Sequence, residues 1–280
     1  MTIEVLHGKP EDNFGAPMAP RLLVTSALPY ANGPLHLGHL VEYVQTDAFV
    51  RFHKLIGRDA IYLCAADTHG TPIEVKAREL GEAPEAFVER IREGQRKTFD
   101  AFGVGLDIFD STHSAENRAW AERIYGALDA RGDIAWRPLE QYYCEADARF
   151  LPDRFVKGTC PRCGAPDQYG DVCEKCGSTY APTELKEPFC VLCRRPPVRR
   201  TSTHAFVDLA RFEPFLRGWV DGPGTLHPEV RNFVRRFLAD GLRDWCITRD
   251  PPYFGFPVPG HPDKFFYVWL DAPIGYISST

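Results

Sequence analysis

Residues 22–39 read LLVTSALPYANGPLHLGH, and this stretch decides the fold class. Its apolar start, residues 22–28, runs into a proline and the turn-rich YANGP, which is typical of a buried parallel strand that ends in a loop. Apolar residues then recur with a period near 3.6 over residues 37–55, which predicts a helix. The apolar run AIYLCAA at residues 60–66 predicts the next strand. Strand, helix and strand in this order predict an α/β protein with a parallel sheet.

The pattern changes in the middle of the chain. Residues 133–225 contain short apolar runs, paired cysteines and closely spaced Pro and Gly, which predict an inserted domain. After it, WCIT (245–248) and KFFYVWL (264–270) are predicted as strands with which the first sheet resumes. Further helices are predicted to begin at Pro84, Ser114 and Pro228. The predicted divisions are a flexible leader (1–20), the first half of the α/β domain (21–132), the insertion (133–225) and the return to the α/β domain (226–280).

Composition excludes several classes of protein. The chain has 280 residues, of which 44% are hydrophobic and 25% charged, so disordered and fibrous proteins are excluded. A formal charge of -5 argues against a surface that is basic all over, and any contact with nucleic acid must use a local patch. The sequence has no apolar stretch of about 18 residues and no signal peptide pattern. We therefore expect a cytoplasmic protein without a membrane partner, whose cysteines act as thiolates or metal ligands.

Cysteine spacing predicts a metal site in the insertion. Two C-x2-C pairs separated by nine residues can present four thiolates to a tetrahedral ion, and the four ligands leave no open position. We therefore predict one structural Zn2+ per chain, bound by Cys160, Cys163, Cys173 and Cys176. Cys190 and Cys193 form one more pair, for which a second metal would need His204 or another ligand. The remaining cysteines are most simply small buried residues: Cys64, Cys144 and Cys246.

His36, Gly38 and His39 lie at the start of the first predicted helix, directly after the first strand. Ligands of open α/β sheets bind at this edge, and a helix N-terminus favours phosphate. Two imidazoles could donate to phosphate oxygens while the glycine lets a flat base approach, so we predict a nucleotide site. A metal-binding pair and a merely polar helix start are the alternatives. The glycine fingerprint of dinucleotide oxidoreductases and the Walker lysine motif are both missing.

Four segments of the chain resemble methionyl-tRNA synthetases, a group of the class I aminoacyl-tRNA synthetases. ALPYANGPLHLGH (27–39) resembles the first signature of that family, and LPDRFVKGTCPRCGAPDQYGDVCEKCG (151–177) resembles its zinc-bearing connective peptide. ITRDPPYFGFPVP (247–259) and FYVWLDAPIGY (266–276) resemble later segments. The resemblance implies a Rossmann-like parallel sheet interrupted by a connective peptide with a zinc knuckle at residues 158–178. The family's KMSKS loop and anticodon-binding domain have no counterpart in the sequence, so we expect weak or no catalysis by this chain alone.

The resemblance also assigns roles to individual residues. It implies that the chain activates L-methionine with ATP and Mg2+ and transfers it to the acceptor end of tRNA(Met). It places ATP and its transition state at His36, Gly38 and His39, and links Arg249 and Lys157 to activation. It places methionine at Ala27, Leu28, Tyr30, Asp67, Trp269, Ala272, Pro273 and Tyr276.

Without the family resemblance, the same residues also allow simpler interpretations. Core packing would explain the aromatic residues, and a solvated surface position would explain Arg249 and Lys157. The carboxylate of Asp67, at the end of a strand, can pair with a substrate ammonium. An alternative function is that of a shortened synthetase paralogue, which binds methionine, an adenylate or a protein partner without charging tRNA.

Overall fold

The computed structural model describes residues 21–224, 226–239 and 241–280, so the predicted leader (1–20) lies outside the described residues. The chain forms two compact units. The first comprises residues up to Ile134 together with Val207–Trp245 and Val268–Thr280, and the second comprises Ala135–Phe206 and Cys246–Tyr267. The domain boundaries predicted at residues 133 and 225 remain predictions.

The first unit contains a parallel three-stranded sheet, which confirms the predicted fold class. Its strands lie in the order β1-β2-β3, with Leu22 opposite Ala60 and Leu63 opposite Ile108. The elements in this part of the chain are β1 (Leu22–Thr25), α1 (Leu37–Leu55), β2 (Ala60–Ala66), α2 (Thr71–Leu80), α3 (Pro84–Ala101), β3 (Ile108–Ser111) and α4 (Ala115–Ala130).

Strand β1 ends three residues earlier than predicted because α1 takes over the hydrogen bonds of Ala27. The Ala27 amide donates to Glu42 at 2.6 Å, and its carbonyl accepts from the Tyr43 hydroxyl at 2.8 Å. These side chains satisfy the backbone groups that would otherwise continue the ladder. The loop after β1 is thereby fixed to α1.

Helix α1 has the predicted bounds, but Leu40 is the one residue of the predicted apolar row that lies on its buried face. Leu37, Val41 and Phe52 belong to this row and are exposed. The buried face instead includes Tyr43 and Asp47, and the Asp47 carboxylate accepts from the Gly105 amide at 2.8 Å. Hydrogen-bonded polar groups can replace apolar contacts on a buried face, so the periodicity located the helix without identifying its packed side.

Among its described residues, the first unit also contains four later helices: α5 (Glu213–Asp221), α6 (Pro228–Ala239), α7 (Val268–Asp271) and α8 (Gly275–Ser278). A search of the helices within the described residues finds none with the length and apolar character needed to cross a membrane.

The second unit is built almost entirely from strands. Its three sheets have the orders β10-β9-β4-β5, β7-β6-β8 and β11-β13-β12. The strands are β4 (Ile134–Cys144), β5 (Arg149–Phe150), β6 (Val156–Thr159), β7 (Gln168–Tyr169), β8 (Lys186–Cys190), β9 (Val198–Val207), β10 (Trp245–Cys246), β11 (Thr248–Arg249), β12 (Pro257–Val258) and β13 (His261–Phe266).

The prediction that WCIT and KFFYVWL resume the parallel sheet is wrong. WCIT is divided between β10 and β11, and KFFYVWL begins in β13 and ends in α7. Strand β13 pairs antiparallel with both β11 and β12, and only two residues separate β12 from β13. So short a connection joins antiparallel strands, since a parallel crossover needs a dozen residues or more. An apolar run of this length also does not distinguish a strand from a helix.

Candidate functional site

The two histidines at the start of α1 cap the helix and each other. His36 is the N-cap residue: its Nδ1 accepts from the His39 amide at 3.4 Å, and His39 Nδ1 accepts from the His36 amide at 3.3 Å. The rings stack with centroids 3.7 Å apart. Burial, together with the neighbouring His36, lowers the pKa of His39. Because both Nδ1 atoms accept, the neutral rings carry their protons on Nε2, where they can donate to an anion at the helix N-terminus.

Gly38 allows this stacking. A Cβ at residue 38 would lie 3.0 Å from the His36 ring. Because Gly38 has no side chain, there is room for the imidazole ring of His36. The sequence had instead predicted that this room would admit the base of a nucleotide. As predicted site residues, His36, Gly38 and His39 lie together at one exposed helix end.

Asp67 is held at the carboxyl end of β2 by the loop that follows β1. Its amide donates to the Pro29 carbonyl at 2.9 Å, and its carbonyl accepts from the Ala31 amide at 2.7 Å. The side-chain atom Oδ1 is buried and has no hydrogen-bond partner within the described part of the chain. Burial, with a further contribution from Asp271, raises the pKa of Asp67 to about 8. The carboxyl group is therefore largely uncharged at neutral pH unless a cation is bound beside it.

Several predicted methionine-site residues surround Asp67. Tyr30 pairs with Asp67 in an isolated β-bridge, and a Cβ on Gly70 would lie 2.9 Å from the Tyr30 hydroxyl. Tyr276 interacts electrostatically with Asp67, and its hydroxyl is hydrogen-bonded to the backbone of Leu28. These contacts place two tyrosines and a leucine around a half-buried carboxyl group, whose Oδ1 atom is buried and has no hydrogen-bond partner among the described residues. Such a pocket offers one site for a cation and aromatic surface for an apolar side chain.

Some of the remaining predicted methionine-site residues are held in the fold, and others are exposed. Ala27 belongs to the loop that α1 fixes, and Ala272 is buried between α7 and α8. Trp269 is 65% exposed and Pro273 is also exposed, so the structure does not bring these two into the half-buried group around Asp67.

Sequence reasoning missed a row of buried polar side chains beside Asp67. His69 Nδ1 is hydrogen-bonded to the Asp271 carboxylate, and its Nε2 lies 3.0 Å from His113 Nδ1. His69 is fully buried and Asp271 is 1% exposed. A signal was present in the sequence, because His69 follows Asp67 by two residues in the segment DTHG, directly after β2. The His69 amide donates a hydrogen bond to the Asp67 carboxyl group, which keeps the two residues together.

The four predicted zinc ligands lie together in the second unit. The Sγ atoms of Cys160 and Cys176 are 4.0 Å apart, and those of Cys163 and Cys173 are 3.7 Å apart. Tetrahedral zinc with bonds of about 2.3 Å requires sulfur separations of about 3.8 Å. The cluster therefore fits a structural tetrahedral ion.

Each C-x2-C pair of this cluster closes the same turn. Gly164 donates to the Cys160 carbonyl at 3.1 Å, and Gly177 donates to the Cys173 carbonyl at 2.8 Å. Both glycines have positive φ, 73° and 71°. The amide three residues after the first cysteine also points at its sulfur, at 3.5 Å for Cys163 and 3.4 Å for Cys176.

A second cluster repeats this geometry with one carboxylate. Arg194 donates to the Cys190 carbonyl at 2.8 Å with φ of 64°, although it is not glycine. The Asp147 amide points at Cys144 Sγ at 3.4 Å, and Ala148 has φ of 50°. A positive φ is unfavourable for residues with a Cβ. Its occurrence in the cysteine turns of both clusters therefore indicates that these turns require the left-handed conformation.

The ligand atoms of this second cluster lie within 4.8 Å of one another: Cys144, Asp147, Cys190 and Cys193. Two earlier expectations are thereby corrected. Cys144 belongs to a cluster that could hold a metal ion and is not simply a small buried residue. His204 is not the missing ligand, because its ring nitrogens are engaged by Thr248, Gln141 and Asp250. Asp147 was missed because a C-x2-D pair lacks the second sulfur by which such sites are recognised.

The two predicted activation residues lie in the second unit and have local partners. Lys157 is paired with Asp167 at 3.0 Å, and this hydrogen bond raises the pKa of the lysine. The Arg249 guanidinium lies 3.6 Å from the centroid of the Tyr267 ring. The structure therefore fixes the arginine on an aromatic face and holds the lysine in an ion pair.

The strand that carries Arg249 is anchored by the next residue. Asp250 accepts hydrogen bonds from His204 at 3.0 Å and Ser202 at 2.7 Å, and also from Lys264. Burial opposes ionisation, but these three bonds lower the pKa of Asp250 to about 2. The carboxylate stays charged and ties β11 to β9 and β13.

Comparison with known proteins identifies the relatives of the chain. The family model described as tRNA synthetases class I (M) matches residues 22–280. The methionine–tRNA ligase of Myxococcus xanthus (strain DK1622) is 58% identical over 263 residues, which are 94% of this chain and 37% of that protein. That of Stenotrophomonas maltophilia (strain K279a) is 54% identical over 92% of this chain and 37% of its own length. The chain thus spans little more than a third of these curated relatives.

A solved structure agrees with these relatives. The crystal structure of Mycobacterium tuberculosis methionyl-tRNA synthetase bound by methionyl-adenylate matches with a TM-score of 0.70 and 26% sequence identity. The match covers 92% of this chain and 47% of that structure.

Proposed function

Because the chain belongs to the class I tRNA synthetases of the methionyl group, we propose that it carries the amino acid and nucleotide sites of a methionine–tRNA ligase. The reaction is ATP-dependent activation of L-methionine to methionyl-adenylate, followed by transfer of the methionyl group to the acceptor end of tRNA(Met). The observation that carries the proposal is the half-buried carboxyl group of Asp67. It has an oxygen without a partner among the described residues and lies beside two tyrosines.

The chemistry that we propose for these residues is positioning. Asp67 binds the methionine ammonium, and Tyr30 and Tyr276 contact its thioether side chain. A methionine carboxylate oxygen attacks the α-phosphorus of ATP, and pyrophosphate leaves. Nε2–H groups of His36 and His39, at the N-terminus of α1, donate to the phosphate oxygens as negative charge develops on them. Mg2+, when bound with ATP, would neutralise part of the charge of the phosphates.

We further propose structural metal ions in the second unit. The cluster of four cysteines takes Zn2+, as expected for four thiolates at tetrahedral separations. The cluster of three cysteines and Asp147 takes a second ion, and its turns are supported by the same backbone geometry. The zinc count of one per chain that the cysteine spacing predicts would then become two.

Equilibrium binding of amino acids by the chain tests the amino acid site. We expect calorimetry to show L-methionine binding more tightly than L-leucine or L-isoleucine. 4-(Methylthio)butanoic acid, which lacks the ammonium, should bind at least about tenfold more weakly, since a charge-assisted hydrogen bond is worth about 1.5–3 kcal/mol. Leucine binding as tightly as methionine would contradict the specificity. Equal binding of the analogue without the ammonium would contradict the role of Asp67.

The pH dependence of methionine binding follows from the raised pKa of Asp67. With that pKa at about 8 in the unliganded chain, binding of the ammonium at pH 6–7 must release the carboxyl proton. Affinity should therefore rise with pH, by up to about tenfold per unit below pH 8, and level off above it. Calorimetry in two buffers with different enthalpies of ionisation measures the released proton. An affinity that stays constant from pH 6 to pH 8 would rule out this linkage.

A further inference from the structure

His69 connects two chain segments that contribute to the proposed methionine pocket. Its amide donates a hydrogen bond to the carboxyl group of Asp67. Its ring Nδ1 is hydrogen-bonded to Oδ2 of Asp271, the last residue of α7. A carboxylate oxygen accepts, so the ring nitrogen donates. One residue thus contacts the carboxyl group that we propose for the ammonium and also the segment that leads to Tyr276.

The ring of His69 has a fixed place in the first unit. Both the ring and the side chain of Asp271 are buried. On the other side of the ring, Nε2 lies 3.0 Å from Nδ1 of His113. A buried ring with hydrogen bonds at both nitrogens cannot rotate without leaving polar groups unsatisfied. His69 therefore ties α7 to the segment that follows β2.

The position of α7 is passed on to Tyr276 over a short connection. Only four residues separate Asp271 from Tyr276. Tyr276 interacts electrostatically with Asp67, and its hydroxyl is hydrogen-bonded to the backbone of Leu28. A displacement of α7 would therefore move the Tyr276 ring relative to the Asp67 carboxyl group.

A second set of contacts keeps α7 and α8 folded independently of the His69 ring. Asn117 of α4 donates through Nδ2 to the backbone carbonyl of Asp271 at 3.2 Å. Its Oδ1 accepts from the Ser278 hydroxyl at 2.9 Å. These bonds hold the backbone of the two helices against α4. Loss of the His69 ring should therefore shift the pocket without unfolding these helices.

We propose that His69 is a positioning residue of the amino acid site: its ring holds α7 in register with Asp67, so that the ammonium and the thioether of methionine are bound together. The inference rests on the proposed function and extends it to a residue outside the predicted methionine site. His69 acts on the ligand through Asp67 and through Asp271, which carries the motion of α7 to Tyr276.

Two amide variants separate the two ring contacts of His69. In His69→Asn the side-chain nitrogen takes the place of Nδ1 and can still donate to Asp271. In His69→Gln it takes the place of Nε2 and reaches His113 instead. By calorimetry, we expect His69→Asn to keep the methionine affinity within about threefold. We expect His69→Gln to lose about tenfold or more, as when a hydrogen bond to a charged group is lost.

The order of the two variants distinguishes positioning from packing. Asparagine is smaller than glutamine and leaves the larger cavity, so a packing role alone would make His69→Asn the weaker binder and the less stable variant. That order of affinities, or affinities that are equal in the two variants, would overturn the inference. His227→Gln, at an exposed position of the first unit, should change neither affinity nor unfolding temperature. A wild-type chain that does not bind methionine would contradict the proposed function itself.

The ratio of two ligand affinities is a second readout, which general damage to the fold would not change. 4-(Methylthio)butanoic acid has the thioether but no ammonium, so it does not need Asp67 and α7 to be in register. In His69→Gln the affinity for methionine should fall toward that for the analogue. In His69→Asn the ratio should stay at the wild-type value of about tenfold or more. A wild-type ratio in His69→Gln would overturn the inference.

Proton NMR of the wild-type chain provides a measurement that needs no folded variant. With 15N-labelled histidine, the Nδ1–H resonance of His69 can be assigned through its contacts with the His113 ring. Saturating methionine should shift this resonance and slow its exchange with water, because both segments tied by the ring contact the ligand. A resonance that methionine leaves unchanged would overturn the inference.

Discussion

Replacing Asp67 by asparagine is expected to reduce the affinity for L-methionine about 100- to 1,000-fold and, at the same time, to stabilise the unliganded chain. Loss of one partner from a buried ion pair costs about 3–5 kcal/mol, and each 1.4 kcal/mol is a factor of ten in affinity. Asparagine has nearly the same volume as aspartate, so the pocket keeps its shape. The decrease therefore reports the missing charge.

The gain in stability follows from the raised pKa of Asp67. A carboxyl group with a pKa of about 8 when folded and near 4 when unfolded binds its proton more tightly in the folded chain. Its contribution to stability is complete below pH 4 and is lost as the pH rises toward 8. At pH 7.5 the native aspartate therefore costs stability, of the order of a few kcal/mol, that asparagine does not. A ligand-binding site commonly carries such a cost.

Calorimetry and thermal unfolding at pH 7.5 measure the two effects. We expect Asp67→Asn to lose methionine binding and to unfold several degrees above the wild-type chain. Asp110→Asn serves as the control, because its side chain is only half-buried, and it should change neither quantity. Methionine affinity within threefold of the wild-type value would remove Asp67 from the site. A lower unfolding temperature would show that its carboxyl group is satisfied in the unliganded chain.

The local sequence predicts the first unit well where one physical signal dominates. The run AIYLCAA is β2 with the predicted bounds, and the segment that begins at Leu37 is α1. The prediction for KFFYVWL was wrong because its apolar residues indicate only that the segment is buried. Strands and short helices can both be buried. The sheet partners of β13 depend on the tight connection at residues 259–260, where Gly260 has φ of 78°. Pairing is thus decided by a turn whose geometry the apolar pattern does not report.

Some residues of the candidate sites are likewise predictable from the local sequence, and others are not. His36, His39 and Asp67 are predictable because a helix start and a strand end each have a fixed place in an α/β sheet. Asp271 lies 204 residues after Asp67 in the chain, and only tertiary packing brings its carboxylate to His69. The residue pattern therefore predicts chemistry that is local in sequence, whereas the environment that tunes Asp67 requires the folded chain.

Metal analysis of variants is expected to show two ions in the second unit. The purified wild-type chain should hold two equivalents, and Cys173→Ser and Cys190→Ser should each retain one, because each removes one ligand from a different cluster. Cys246→Ser lies outside both clusters and should retain two. One equivalent in the wild-type chain and in Cys190→Ser would show that the second cluster binds no metal. No metal in the wild-type chain would contradict both sites.

Removal of the metal should have a large effect on residues 156–195 of the second unit, because the cysteines of the metal clusters tie the short elements of this segment together. The chain between β6 and β8 contains only short elements, and the turns at Cys160 and Cys173 bring their sulfurs together. Without an ion, four thiolates within 4.8 Å repel one another, so the ligands must protonate or separate. Structural zinc domains of this kind are commonly unfolded without metal. Limited proteolysis after chelation should therefore cut within residues 156–195 and leave the first unit protected.

The two clusters should also release their ions at different chelator concentrations. Asp147 replaces one thiolate by a harder oxygen ligand, which binds zinc less strongly than sulfur. The second cluster should therefore lose its ion first, and Asp147→Cys should move its release toward that of the four-cysteine cluster. Cobalt substitution can follow both sites separately, because the thiolate-to-cobalt absorption grows with the number of sulfur ligands. Simultaneous release from both clusters, unchanged in Asp147→Cys, would show that residue 147 does not bind the metal.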